Sequence, residues 1–245
     1  MEVYVSQSRT NKASLFLNVK KYITKFIPLF GLIIMILFFQ ITTKGKILSI
    51  NNLRLLFKQG FALLIATTAG VFVMSTGNLD FSIGANLGFC ASVACFAAFV
   101  HPYLALPVAI ITGIAVGFIN GAAQVLFKLP SFIACLCMMF ILMALNQTLT
   151  GGGSKMIPVD MMRMDNSTIN FIAIIIYMVV MIILFRYTKV GKYLKAIGIS
   201  NEASIQSGVK TGKMIFVAYM ITGAAAGIAG YFTLLRTGAA APSIG

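Results

Sequence analysis

Long apolar runs separated by short polar segments make up most of the chain after about residue 27. Seven of these runs approach or reach the length of a membrane-crossing helix, which takes about 17–25 predominantly apolar residues. They cover residues 27–42, 60–75, 85–100, 104–122, 131–149, 169–185 and 214–235. The runs predict an all-α, polytopic bundle of about seven transmembrane helices. They exclude a β-barrel, whose strands would alternate apolar and polar positions over about ten residues.

The composition agrees with a protein that is integral to the membrane. Hydrophobic residues make up 59% of the chain and charged residues only 10%, whereas soluble domains carry about 25% charged residues. The net charge of +14 belongs mainly to segments that flank the apolar runs. This placement indicates membrane topology rather than nucleic-acid binding, so membrane lipid is an expected partner and nucleic acid is not.

The basic residues also predict an orientation, because loops rich in lysine and arginine stay on the cytoplasmic side. If the N-terminus is inside, the inside segments hold twelve basic residues and the outside segments six. Residues 1–26 are therefore a predicted cytoplasmic tail, and residues 27–245 are the predicted transmembrane domain. The same count places the segment 189–213 in the cytoplasm.

The segment 189–213 is a polar island between the last two spans, with five lysines and one glutamate. Its middle predicts a short helix near 201–208. Ser200 or Asn201 is suited to cap the first amides, Glu202 favours the positive end of the helix dipole, and Gly208 suits a left-handed residue after the last turn. So short a helix is unstable alone, so the membrane domain or a partner must hold it.

A second unusual stretch, STGNLDFSIG over residues 75–84, interrupts the apolar pattern between two spans. One interpretation is a broken helix near 76–84 at membrane depth, where only a protein or water-filled surrounding satisfies the exposed backbone. The alternative is a short cytoplasmic turn capped by Asn78 and Asp80. Asn146 and its two polar neighbours end the fifth span, where they line a solute path or cap the helix.

Several classes of chemistry have no basis in the sequence. The single histidine, His101, lies beside Pro102 at the end of a span, so no catalytic residues and no metal site are expected. The pattern G-x-x-x-x-G-K-[ST] of a phosphate-binding loop is missing from the chain. No cofactor is expected, and if a solute is pumped through this protein, the energy must come from another subunit.

Three blocks of sequence match motifs of one transporter family. Residues 77–84, GNLDFSIG, resemble GGIDLSVG and depart from it at Asn78 and Phe81. Residues 117–121, GFING, and 129–133, LPSFI, resemble GxxNG and xPxFIxTL, with Cys135 at the position of the threonine. Residues 191–209 resemble GRYLYAIGGNEEAARLSGI and include the EAA-x3-G signature of permeases, in which Ser204 replaces the second alanine. The chain therefore resembles the permease subunit of monosaccharide ABC importers of the ribose/xylose/arabinose/galactose type.

This resemblance implies a set of partners and a location. Two copies of the permease, or this chain and a sister permease, form one translocation path in the bacterial inner membrane. An extracytoplasmic sugar-binding protein delivers the solute, and cytoplasmic ABC ATPase subunits drive alternating access. Members of the family are longer, so the transmembrane domain is expected to be incomplete at its C-terminus.

The resemblance also implies roles for individual residues. The short cytoplasmic helix becomes a coupling helix that docks on the ATPase, and the residues assigned to it are Asn201, Glu202, Ala203 and Gly208. The residues expected to shape the translocation path are Asn78, Asp80, Ser82 and Asn146.

Three alternatives remain open. A permease of the same superfamily for another solute, such as a branched-chain amino acid, a nucleoside or autoinducer-2, differs only in its cargo. A secondary transporter or channel would need no ATPase. A purely structural membrane anchor is the third, and the polar segment 189–213 argues against it and against the secondary transporter.

Overall fold

A computed structural model describes residues 26–244, in a chain that divides into two compact units between Phe57 and Lys58. The predicted tail, apart from its last residue, lies outside the described residues. The helices are α1 (Phe26–Thr42), α2 (Ile50–Met74), α3 (Ile83–Val100), α4 (Ala105–Val125), α5 (Ser131–Thr150), α6 (Val159–Met162), α7 (Ser167–Tyr187), α8 (Lys189–Ile199), α9 (Asn201–Gln206) and α10 (Thr211–Thr237). A 3-10 turn, Pro102–Leu104, precedes α4. Two short strands, β1 (Lys155–Met156) and β2 (Ala239–Ala240), pair in antiparallel fashion.

The predicted helical membrane bundle is confirmed. Among the described residues, six helices are long and apolar enough to cross a membrane: α2, α3, α4 with its 3-10 turn, α5, α7 and α10. The first predicted span, residues 27–42, corresponds to α1, which is apolar but shorter than these six over the described range.

Helix α2 begins earlier than its apolar pattern predicts. The sequence places the start of this span at Gly60, whereas the helix runs without interruption from Ile50 to Met74. A glycine inside a helix costs only about 1 kcal/mol relative to alanine, so Gly60 does not end it. The basic residue Lys58 is accommodated because its Nζ lies 3.1 Å from Oδ2 of Asp165.

Helix α10 is the centre of the second unit and packs closely against α4. A Cβ atom on Gly113 would overlap the carbonyl oxygen of Gly223, and one on Gly117 would overlap that of Tyr219. Glycines at four-residue spacing therefore let the two backbones touch, the usual way in which helices associate in lipid.

Helix α2 is tied to its two neighbours by hydroxyl groups that donate to its backbone. Thr222 of α10 donates to the carbonyl oxygen of Ala69 over 3.1 Å. Tyr177 of α7 donates to the carbonyl oxygen of Ile65 over 2.9 Å. Because both donors are buried or half-buried, these bonds fix α2 between α7 and α10.

The second unit has two distinct ends. At one, which we call the α8 end, Gly198 of α8 packs on the carbonyl oxygen of Ser75, and a Cβ on Gly212 would lie 3.0 Å from Cγ1 of Val125. At the other, the strand end, β1 pairs with β2 and the amide of Ile157 donates to the carbonyl of Gly238 over 3.0 Å. The connections α2–α3, α4–α5 and α7–α10 therefore meet at the α8 end.

Candidate functional site

The break between α2 and α3 and the facing part of α4 form a buried to half-buried polar cluster, which we define as Thr76, Asn78, Asp80, Ser82, Asn120 and Gln124. The chain leaves α2 after Met74, turns at Gly77 with φ of 80°, and enters α3 at Ile83. The side chain of Asn78 donates to Oγ1 of Thr76 over 2.8 Å and accepts a hydrogen bond from Gln124 of α4. The predicted interruption is therefore a real non-helical segment, anchored on α4 by side chains.

Asp80 and Ser82 form the centre of this cluster. Both the amide and the hydroxyl of Ser82 donate to Oδ1 of Asp80, over 2.9 and 2.6 Å. Asn120 of α4 donates to the hydroxyl oxygen of Ser82 over 2.7 Å. Ser82 and Asn120 are only 1% and 2% exposed, so bulk solvent does not reach the hydrogen bond between them.

Two carbonyl oxygens of the cluster have no hydrogen-bond donor among the described residues. These are Oδ1 of Asn120 and Oε1 of Gln124, and both are buried. A buried acceptor without a donor costs about 1–3 kcal/mol, so such atoms normally bind water or a ligand. The cluster thus has acceptor capacity that the described protein groups leave unused.

The environment of Asp80 disfavours its charged form. Burial raises the pKa of its carboxyl above the ordinary value of 3.8, while the hydrogen bonds from Ser82 oppose the rise. Asp80 lies between the two candidate spans α2 and α3.

Asn146, the fourth residue expected to shape a path, does not join this cluster. It accepts a hydrogen bond from the hydroxyl of Ser92 and donates to the carbonyl oxygens of Ala241 and Pro242, each over 3.4 Å. Ser92 is ten residues after Ser82 on α3, about 15 Å along the helix. Asn146 therefore lies toward the strand end, where it holds the segment that follows β2.

The polar island 189–213 folds into two helices rather than one. Helix α8 was not predicted; it buries Gly191, Leu194 and Ile197 at three-residue spacing and exposes its lysines. Helix α9 is the predicted short helix, with Ser200 as its cap: the hydroxyl oxygen accepts from the amide of Ala203 over 3.2 Å.

The residues assigned to a coupling helix are all accessible. Asn201, Glu202 and Ala203 are exposed on α9, and Gly208 is exposed just after it. Gly208 has φ of 80°, as predicted for a left-handed residue, and Val209 closes the end with a hydrogen bond from its amide to the carbonyl of Ser204 over 3.0 Å.

Ser204 is the one buried residue of α9. It is 5% exposed and donates from its hydroxyl to the carbonyl of Ser200 over 2.8 Å. Helix α9 is thus held on one face, and the face with Glu202 is free among the described residues.

Two groups near the break were missed by sequence reasoning. Asn120 stood in a matched motif without an assigned role, and Gln124 gave no signal. A third, Arg236 in the last turn of α10, lines a cavity of about 390 Å³ together with Thr233 and Ser243, and its Nε is buried without a partner among the described residues. The sequence does mark Arg236, because it is a charged residue directly after the apolar run 214–235, and charged residues in or beside spans are often functional.

Cavities of about 330 and 390 Å³ adjoin each other along α2, since both are lined by Leu63, Ala66 and Ile83. Together the two cavities form a groove along α2 and α3. One half of this groove contains Asp80 and the other contains Arg236.

Six span-length helices, a polar break and an exposed capped helix between two spans define a multi-pass membrane protein with features of a transporter. Residues 52–245 match the family model described as "Branched-chain amino acid transport system / permease component", and the chain belongs to that family.

The chain is similar to several import permeases. It is 29% identical over 181 residues to the fructose import permease protein of Bifidobacterium longum, a match covering 69% of this chain and 51% of that protein. It is 25% identical over 221 residues to the ribose import permease protein of Escherichia coli, covering 83% and 67%. It is 25% identical over 193 residues to the autoinducer 2 import system permease protein of Shigella flexneri, covering 75% and 56%. The chain thus spans between about half and two thirds of these relatives. No solved structure matches it.

Proposed function

We propose that this chain is a transmembrane permease subunit of an ATP-binding-cassette importer. It forms the path of a monosaccharide through the bacterial inner membrane by alternating access, and separate ATPase subunits hydrolyse ATP. The family of the chain and its similarity to fructose and ribose import permeases support this proposal. A second permease copy and an extracytoplasmic sugar-binding protein complete the proposed complex.

The observation that carries the ATPase proposal is α9. It is a six-residue helix, capped at both ends, in which Ser204 is buried while Glu202 is exposed. An isolated helix of this length is unstable, so its rigid caps are suited to presenting a fixed surface to a partner. A closure of the ATPase pair would move α9, and with it α8 and α10 on either side.

We place the solute path at the polar cluster and the groove along α2. The free oxygens of Asn120 and Gln124 suit the hydroxyl donors of a sugar. Asn78, Asp80 and Ser82 stay proposed path residues, since they hold this cluster together. Asn146 stays a proposed path residue as well, acting at the strand end.

A permease for another solute is the second candidate. It is favoured by the family description, which names branched-chain amino acids, and by the relative that imports autoinducer 2. It shares the fold, the path and the ATPase partners, and differs in the cargo alone.

Co-purification from detergent-solubilised membranes tests the ATPase partner. The full-length gene product is expected to retain its ATPase subunit, and Glu202→Ala combined with Gly208→Trp is expected to lose it. A bulky residue at Gly208 is strained, because φ of 80° is rarely adopted by side chains with a Cβ. Membrane insertion should be unchanged, since both positions are exposed.

The matched control is Asp160→Ala combined with Gly152→Trp. Asp160 is also exposed and starts a short helix, and Gly152 is also exposed with φ of 73°, but both lie in the α5–α7 connection. The control should retain the ATPase. If no ATPase co-purifies with the unaltered protein, the importer proposal fails and a secondary transporter takes its place.

A further inference from the structure

A cavity at the α8 end lies outside both the polar cluster and the face of α9. Its volume is about 360 Å³, and α2, α7 and α8 line it. Val71 and Phe72 form the α2 side, and Ile182 and Phe185 form the α7 side. The interior is therefore apolar, as a hydrocarbon chain requires.

Two cations stand at the end of this cavity. Arg186, in the last turn of α7, and Lys195, on α8, both line it and are both exposed. Nζ of Lys195 lies 4.4 Å from the ring centroid of Phe185, which directs the lysine over the cavity wall. Among residues 26–244 the only ion pair is Lys58 with Asp165, so neither cation is neutralised by a described carboxylate.

The surroundings place these cations at the level of lipid headgroups. Helix α8 buries Leu194 and Ile197 and exposes its lysines, the pattern of a helix that lies in the membrane interface. Tyr187 is 71% exposed and Tyr193 is 38% exposed beside them, and tyrosine is enriched at that depth. The predicted orientation puts this interface in the cytoplasmic leaflet, which carries the anionic lipids.

We propose that this cavity holds one anionic phospholipid, with the phosphate on Arg186 and Lys195 and an acyl chain between α2 and α7. The charge of the two unneutralised cations selects this occupant over a zwitterionic lipid, and the apolar walls select a lipid over a free phosphate. The inference goes beyond the transport function, and it holds for any solute. A lipid seated there contacts α2 and α8 together and so couples the membrane to the base of the α8–α9 segment.

Brominated lipids test the proposal, because bromine on an acyl chain quenches a nearby tryptophan. The chain has no tryptophan, so Val71→Trp supplies the single reporter inside the cavity, and Ile182→Trp supplies a second on the opposite wall. Each is reconstituted in vesicles of phosphatidylcholine that contain increasing fractions of brominated phosphatidylglycerol, or of brominated phosphatidylcholine. A basic side chain at the surface contributes a factor of roughly five, so the two predict at least a tenfold preference for phosphatidylglycerol.

Charge-removing variants assign the preference to the two residues. Arg186→Gln with Lys195→Gln should reduce it to about onefold. The control, Lys189→Gln with Lys192→Gln, removes two exposed charges of α8 that do not line the cavity. It should leave most of the preference for phosphatidylglycerol. Equal quenching by both lipids, or an equal loss in both double variants, overturns the proposal. Absence of quenching by either lipid from both reporters also overturns it, since another protein segment then fills the cavity.

Discussion

At the residue scale, the break between α2 and α3 keeps its shape through side chains rather than backbone ladders. Ser82 donates twice to Asp80 and accepts from Asn120. These three groups replace the hydrogen bonds that a continuous helix would have made, and they hold a non-helical segment against α4. Oδ1 of Asn120, which has no donor among the described residues, keeps its acceptor capacity.

The raised pKa of Asp80 predicts a pH dependence of stability. A carboxyl whose pKa is higher in the folded protein than in the unfolded chain contributes stability at low pH, and this contribution is lost as the pH rises through the folded-state pKa. The thermal midpoint of Asp80→Asn in detergent should therefore rise relative to the unaltered protein between pH 4 and pH 7. The comparison cancels the other titrating groups; a relative fall over this range would contradict the burial of Asp80.

Asn146 allows a test of whether it supports the fold or touches the solute. Asn146→Ala leaves the fully buried hydroxyl of Ser92 without its partner and frees the segment after β2. The loss of such a bond costs about 1–3 kcal/mol, so the thermal midpoint should fall by about 2–4 °C for each kcal/mol. If the midpoint is unchanged while the KM of uptake rises, Asn146 acts on the solute alone.

At the element scale, the contact between α4 and α10 depends on the missing side chains of glycine. Gly113 and Gly223 each face the carbonyl oxygen of the other. Because neither glycine has a side chain, the backbones of α4 and α10 approach each other closely at this point.

Substituting one of these glycines should destabilise the protein without changing its charge. Gly223→Ala adds a Cβ that overlaps the backbone of α4, and overpacking costs about 1–3 kcal/mol. Gly60→Ala is the matched control, because nothing lies within 4 Å of its added Cβ. The thermal midpoint should fall in the first variant and stay or rise slightly in the second; equal midpoints would contradict the close packing of α4 and α10.

Elements encoded by neighbouring residues could be predicted from the sequence. The spans follow from apolar runs, and α9 follows from Ser200, Glu202 and Gly208, whose roles as caps are local. Helix α8 was missed because its lysines dominate the segment, and its buried face appears only at the spacing of Leu194 and Ile197.

The polar cluster could be predicted only in part, for a different reason. The sequence marks Asp80 and Ser82 as unusual, but the partner Asn120 is 38 residues away from Ser82, and Gln124 is 46 away from Asn78. Packing brings these residues together, and no local pattern encodes which buried amides meet. The same holds for the separation of Asn146 from the cluster.

At the scale of the whole molecule, the second unit separates two tasks between its ends. The polar break and the α8–α9 segment meet at one end through Ser75 and Gly198. The short strands and Asn146 hold the other end. In the proposed importer, the α8 end faces the ATPase, so motion of α9 reaches the break through α8.

Contact between α9 and an ATPase subunit is the central claim, and photo-crosslinking measures it directly. A photoreactive amino acid is placed at Ile205, which is 54% exposed on α9, or at Met156, which is 79% exposed on β1 at the strand end. Illumination of intact cells should crosslink the Ile205 position to an ATP-binding subunit. The Met156 position should give no crosslink to that subunit. A missing product at Ile205, or equal yields from both positions, would contradict the docking of an ATPase on α9.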